Sequence, residues 1–291
     1  MAPSACSSPA LAGNKKKVVF IMGATGTGKT KLSINLATQF PSEIINSDKI
    51  QVYKGLDIIT NKVSESERCA IPHHLLSIID DPDYDFTVDD FCNHVLVALN
   101  HIIQNGRVPI IVGGSNSYLK ALVEDPNIAF RSKYDCCFIW LHVSLPVLFE
   151  YLDKRVDEML DAGIVDEIRE AFVPGTKYDY SRGVKRAIGV PELEHYLRIE
   201  KEIDDEAQKE KILQHAIRKT KENTCKLAEM QQFKIHRLNC ELGWEMIKID
   251  STPVFEAVLN GADYKHLYKE IVFKPSMEIV QRFLLEEFNQ G

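Results

Sequence analysis

"KVVFIM" (residues 17–22) runs directly into "GATGTGKT" (residues 23–30), and the reading of the whole chain turns on this junction. A short apolar run before a glycine-rich turn reads as a buried parallel strand feeding a helix. The octapeptide fits the G-x-x-x-x-G-K-[ST] phosphate-loop pattern in the strand-to-helix context that gives the pattern meaning. Glycines let successive backbone N–H groups turn inward around anionic oxygens, a lysine adds a point charge, and the last hydroxyl is suited to a magnesium ion. Gly23, Ala24, Thr25, Gly26, Thr27, Gly28, Lys29 and Thr30 are therefore the expected phosphate-binding residues, with Thr30 as the metal contact.

Outward from the loop, the pattern alternates. "KLSINLATQF" continues as a helix up to Pro41, and "SEIINSD" is a second strand that delivers Asp48 to its carboxyl end, where ligands of open parallel sheets gather. Thr87 and Asp90 have capping-box spacing before "FCNHVLVALNHII", which Asn105-Gly106 stops. "RVPIIVGG" is a third strand leading into the short helix "SNSYLKALV"; "CCFIWLHVS" is a fourth, after which Pro146 opens a helix through "VLFEYLDKRVDEML". Past Gly163 helical segments dominate until "EMIKID" supplies one more strand. The expectation is a P-loop NTPase-like α/β fold, a doubly wound parallel sheet with a helical elaboration in the C-terminal half. Its divisions are 1–16 as a disordered tail or targeting remnant, 17–160 as the core, 161–245 as the helical elaboration, and 246–291 as a last strand returning to the core plus a C-terminal helix.

Composition narrows the function classes. The 291 residues carry 35 Lys and Arg against 42 Asp and Glu, and a net charge of -7 opposes broad attachment to a nucleic-acid backbone or an anionic membrane. Seven cysteines without a C-x-x-C pair indicate neither a zinc finger nor a disulfide framework. No apolar run approaches the roughly 20 residues that span a bilayer. The opening "MAPSACSSPALAGNKKK" lacks acidic residues and ends in a lysine cluster, a composition shared by transit peptides and plain disordered tails.

Three further features carry chemistry. Asp48, with Lys49 and Gln51 close behind in "NSDKIQVY", is suited to receiving a proton or orienting an amine beside the loop, or else to capping a helix. Ser115, Asn116 and Ser117 in "GGSNSY" offer hydroxyl and amide groups for a base edge, or simply a turn and a cap. Ordinary phosphate-loop ATPases and kinases hold magnesium with a carboxylate ending a later strand. Here those strands end in Gly113-Gly114 and in His142 and Ser144, although Asp48 on strand two suits some kinases.

Taken together, "GATGTGKT", "IINSDKIQVY", "GLDIITNKV", "PHHLL", "IIVGGSNSYLKAL", "FRSKYDCCFIW", "RVDEMLDAGIVDEI" and "SRGVKRAIG" resemble the plant adenylate isopentenyltransferases, the cytokinin-forming branch of the tRNA isopentenyltransferase superfamily, over residues 17 to 290. In that family the loop grips the diphosphate of dimethylallyl diphosphate, and adenine enters from the other side of a channel. The resemblance implies transfer of a dimethylallyl group to N6 of ATP or ADP, with Mg2+ as cofactor. It assigns Asp48 as general base, Thr25, Lys29 and Arg155 to the departing diphosphate, and Lys185 or Arg186 as a further positive group, Lys185 on the diphosphate and Arg186 with the nucleotide-side Lys49, Gln51, Ser115, Asn116 and Ser117. Without it, Arg155 would read as part of a solvated charged face. Ile188 is the expected wall of the prenyl pocket, in competition with a plain core role.

The tRNA-modifying branch is the nearest alternative. Its members insert a large helical segment after the "GG[TS]" helix, whereas here only "EDPNIAFRSKYD" intervenes, which with the negative net charge favours a free nucleotide over tRNA; a monomer without a membrane partner is the further expectation. A nucleotide-binding regulator without catalysis makes poor sense of Asp48 and Arg155 together. One departure stands out: His142 occupies a strand end where plant relatives tend to have an acid. Cytoplasm or plastid is the expected compartment.

Overall fold

The computed structural model describes residues 15–285 apart from 174, 175 and 177, so the expectations for the N-terminal tail and the last six residues lie outside it. Among the described residues six strands form one parallel sheet: β1 (Lys16–Gly23), β2 (Ser42–Asn46), β3 (His73–His74), β4 (Val108–Gly113), β5 (Tyr134–His142) and β6 (Ile247–Asp250), in the order β3-β2-β4-β1-β5-β6.

Period-two alternation distributes the strands' side chains between two apolar layers. Phe20, Met22, Ile45, Ile111 and Trp140 enter one layer. Val19, Ile21, Ile44, Ile110 and Ile139 enter the other. Val18 to Met22 are all 0% exposed, which explains why β1 reads as a continuous apolar run and not as an alternating one.

Helix α1 (Lys29–Ala37) follows β1 and packs its Leu32 and Leu36 into the second layer. It stops short of Pro41: Thr38 closes it on the Ile34 carbonyl, and a turn fills the gap. Helix α2 (Val88–Gln104) begins with the capping box, Asp90 N–H donating to Thr87 Oγ1 at 3.1 Å and Thr87 N–H to Asp90 Oδ2 at 2.9 Å. Helix α3 (Asn116–Glu124) follows β4 and packs Leu119 and Leu122 into the first layer. Since α1 and α3 leave the adjacent strands β1 and β4 toward opposite faces, the crevice beyond these two strand ends is the switch point of the sheet.

A four-residue helix, α4 (Phe130–Lys133), leads into β5, and α5 (Leu145–Asp161) leaves it. Then come α6 (Ile164–Ala171), α7 (Val190–Ile199) and the 37-residue α8 (Glu206–Leu242), capped by Asp205 and ended by Gly243 at φ 61°. At 1.5 Å per residue α8 is about 55 Å long. It packs on α3, α5, α7 and β1, so the helical segment lies against the sheet. The chain then returns as β6 beside β5 and finishes through α9 (Thr252–Leu259) and α10 (Lys265–Tyr268), which runs on through a π-helical turn (Lys269–Phe273) into α11 (Lys274–Leu285). Among the described residues no helix is long and apolar enough to cross a membrane.

Candidate active site

A cavity of about 560 Å³ opens at the switch point. The phosphate loop forms its floor. Gly26 and Gly28 sit at φ 83° and 84°, the left-handed region that the loop's reversal requires. Thr25, Gly26, Gly28, Lys29 and Thr30 line the cavity, while Gly23, Ala24 and Thr27 are buried behind it as the loop's backing. Thr27 Oγ1 donates to the Ala24 carbonyl at 2.9 Å, and Lys29 Nζ donates to the same oxygen at 2.6 Å. The first N–H groups of α1 rise from this loop without carbonyl partners of their own, as at any helix start.

Positive charge is concentrated here at a cost. Burial lowers the Lys29 ammonium to about 8; Asp48 opposes that shift and Arg155 adds to it. The Arg155 guanidinium, also depressed by burial, reaches from α5 into the cavity and donates from Nη2 to Thr25 Oγ1 at 3.1 Å. The solvated-face reading of Arg155 fails because the run "YLDKRVDEM" is helical: four residues on from Tyr151, Arg155 shares that residue's inward face.

Asp48 stands across the cavity, two residues beyond β2. Asn46 clamps its backbone, accepting from Asp48 N–H at 3.1 Å through Oδ1 and donating from Nδ2 to the carbonyls of Asp48 at 3.1 Å and Leu75 at 2.9 Å. One carboxylate oxygen accepts from Ile50 N–H at 2.9 Å, so Asp48 caps a turn and not a helix. Close approach of β4 completes the clamp: a Cβ on Gly113 would stand 2.3 Å from Ser47 Oγ and 2.8 Å from the Ser47 carbonyl carbon.

The nucleotide-side candidates divide. Lys49, Gln51, Ser115 and Arg186 line the cavity. Lys49 N–H donates to Ser115 Oγ at 3.0 Å, and Gln51 Nε2 donates to the Thr60 carbonyl at 3.0 Å. Burial, then the neighbouring Arg186, lowers the Lys49 ammonium. Arg186 is 3.5 Å from Asp85 by its Nη1. Asn116 is buried and donates to the Gln231 backbone carbonyl at 3.1 Å. Ser117 is exposed outside the cavity: two residues on from Ser115, it is turned about 200° around α3.

One expectation is corrected. Lys185 is not on the phosphate loop's side of the cavity; it pairs with Asp83 at 2.7 Å and lies 4.5 Å from the Tyr178 ring centre, because the 3₁₀ turn Val184–Arg186 sends it and Arg186 in different directions. His142, the departure noted in the sequence, lies outside the cavity lining. It faces Asp250 across the β5–β6 seam at 3.6 Å and meets Trp140 edge-on.

The sequence reading missed Gln231 of α8, whose Oε1 accepts from Thr25 N–H at 2.7 Å and whose Nε2 donates to the Gly114 carbonyl at 3.1 Å. It also missed Glu167, whose two carboxylate oxygens accept from Ile58 and Ile59 N–H at 2.8 and 2.9 Å and so pin the cavity wall formed by residues 58–63. Ile188 does line the cavity, joined by Ile59, Met159 and Leu227. A second hollow of about 560 Å³ shares Asn61, Val63, Arg155, Glu158 and Met159 with the first.

The sequence of residues 51–132 and 124–234 matches the family model described as IPP transferase. The chain belongs to this family. Adenylate isopentenyltransferase 5, chloroplastic, of Arabidopsis thaliana is 51% identical over 270 residues, covering 93% of this chain and 81% of the relative. Adenylate isopentenyltransferase 7, mitochondrial, of the same plant is 46% identical, with 92% and 80% covered. Adenylate isopentenyltransferase of Humulus lupulus is 40% identical, with 91% and 90% covered. A match over 93% of the chain necessarily takes in the phosphate loop and Asp48, which precede the family-model match. Among solved structures, a eukaryotic dimethylallyltransferase acting on tRNA superposes with a TM-score of 0.76 at 24% identity, covering 93% of this chain and 80% of that one. The tRNA isopentenylpyrophosphate transferase of Bacillus halodurans gives 0.68 at 25%, with 91% and 99% covered. The family's fold is thus the fold described above.

Proposed function

We propose that this member of the family is an adenylate isopentenyltransferase, which transfers the dimethylallyl group of dimethylallyl diphosphate to N6 of ATP or ADP. The observation that carries this reading is the opposition, within one cavity, of two partly buried cations, Lys29 of the phosphate loop and Arg155 of α5, to the clamped carboxylate of Asp48. Plant relatives of 40 to 51% identity named for the adenylate reaction support the same acceptor.

In this reading the donor diphosphate lies in the loop, and adenine arrives beside Asp48, Lys49, Gln51, Ser115 and Arg186. The exocyclic amine is a weak nucleophile because its lone pair is delocalised into the purine. Asp48 accepts one of its protons as the nitrogen lone pair forms a bond to C1 of the dimethylallyl group. The C1–O bond breaks in the same event, and its electron pair leaves on the diphosphate. Charge grows where Lys29, Arg155 and the α1 N-terminus already stand, so the stabilisation requires no reorganisation. Ile59, Met159, Ile188 and Leu227 shelter the prenyl group from water, which would otherwise capture the cationic carbon.

The site suits a Mg2+ ion that enters with the diphosphate. Among the described residues no cluster of three His, Cys, Asp or Glu side chains is arranged to hold a metal, whereas Mg2+ commonly takes one or two protein oxygens plus phosphate and water. The Thr30 hydroxyl would hold it, and the ion would neutralise leaving-group charge.

The connection from α3 to β5 contains only α4, a compactness that supports a free nucleotide over tRNA. Relatives named chloroplastic support a plastid location, with the cytoplasm as the other compartment. The test is to incubate the protein with Mg2+ and dimethylallyl diphosphate, offering ATP, ADP or total tRNA, and to detect the prenylated product by mass. N6-dimethylallyl ATP or ADP is expected. Labelling of tRNA alone would transfer the chain to the tRNA-modifying branch, and ATP hydrolysis without prenylation would assign it to the kinases or ATPases.

A further inference from the structure

Gln231 links the two halves of the cavity. Its side-chain carbonyl holds Thr25 N–H in the phosphate loop at 2.7 Å, and its amide N–H holds the Gly114 carbonyl, beyond β4, at 3.1 Å. Gly114 has no Cβ where one would stand 2.5 Å from Gln231 Nε2, so the contact depends on a glycine there. The helix that carries Gln231 is itself fixed to α3, since Asn116 donates to the Gln231 backbone carbonyl. From Gly114 the contacts continue to Asp48: Ser115 accepts from the N–H of Lys49, the next residue along from the carboxylate. On the other side Thr25 continues to Arg155.

The Thr25 N–H is a phosphate ligand by position, because it stands in the turn that cradles the anion. Here it is engaged by an uncharged amide, and a charge-assisted bond to a phosphate oxygen is the stronger of the two. We propose that Gln231 is a two-position switch coupling the donor and acceptor subsites. With the donor absent, its amide closes on Thr25. When a diphosphate takes the Thr25 N–H, the amide is released into the cavity that it lines, where it can pair with a base edge. Coupling of this kind is reciprocal: nucleotide that engages the amide frees Thr25 N–H and strengthens donor binding by the same factor. The inference rests on the assignment of donor and acceptor made above.

The test is isothermal titration of the unreactive dimethylallyl thiolodiphosphate, with Mg2+, in the absence and presence of saturating ATP. The wild-type protein is expected to bind the analogue about five-fold or more tightly with ATP present, the lower end of ordinary site-to-site coupling. Gln231→Met, equal in length but without either hydrogen bond, is expected to bring that ratio close to one. Should Gln231→Met fail to fold, Gln231→Glu carries the test, since it keeps an oxygen for Thr25 but has no N–H for Gly114. A ratio preserved in a folded variant, or a wild-type ratio of one with both ligands bound, overturns the coupling alone. Failure of the wild-type protein to bind the analogue at all overturns the donor assignment and the coupling with it.

Discussion

The Arg155 guanidinium donates to the Thr25 hydroxyl at 3.1 Å, across 130 residues of chain, and so fixes an α5 side chain to the outer lip of the phosphate loop. With its Nε buried and without a hydrogen-bond partner among the described residues, the group retains capacity for an anion. Arg155→Ala is expected to lower kcat by about 10²- to 10³-fold, the usual loss on removing one donor to developing negative charge. Arg155→Lys should recover little of it, because a point charge does not reproduce the planar fork. Steady-state kinetics with the donor varied checks both.

Asp48 is held by Asn46 and by its own contact with Ile50 N–H, so replacing the carboxylate with an amide preserves the turn. Asp48→Asn should reduce turnover by about 10²- to 10⁴-fold, the range of a general base, while leaving affinity for the thiolodiphosphate analogue within about two-fold. Calorimetry beside rate measurement separates the two. Normal turnover would remove Asp48 from the reaction.

The Lys29 ammonium, lowered by burial to about 8, is charged below that pH and neutral above it in the free protein. Since kcat/KM reports the free enzyme, kcat/KM for the donor should fall as pH rises through about 8. The sign for stability is opposite. Between about 8 and the ordinary lysine value of 10.5 the unfolded chain binds the extra proton, so this residue's contribution makes the fold more stable as pH rises through that window. Lys29→Met should abolish both pH effects.

Gly113 joins the end of β4 to the Ser47–Asp48 segment with no room for a side chain. Gly113→Ala must displace backbone on β2's extension, and overpacking of this kind costs about 1–3 kcal/mol. The variant is expected to melt lower and to lose kcat disproportionately, since the displaced segment carries the carboxylate. Thermal denaturation with kinetics on the folded fraction measures both.

Much of this was legible in residues 17–30. An apolar run, glycines at the turning positions and a lysine before the helix dictate strand, loop and helix by local physics, and the Thr87–Asp90 pair announced its helix equally clearly. The edge strand β3 was not legible, because two residues cannot show a period. Nor was Gln231, which lies in a charged helix where one more polar residue carries no signal until α8 is packed against β1 and α3. Lys185 and Arg186 show the same limit in reverse: neighbouring cations are equivalent on the page, and only the 3₁₀ turn gives one to Asp83 and the other to the cavity.

The most direct measurement is a crystal structure of the protein with Mg2+, dimethylallyl thiolodiphosphate and ATP together. The account predicts the thiolodiphosphate in the Gly23–Thr30 loop against Lys29 and Arg155, with adenine N6 within hydrogen-bonding distance of Asp48. The triphosphate of ATP in that loop, with N6 remote from Asp48, would contradict it.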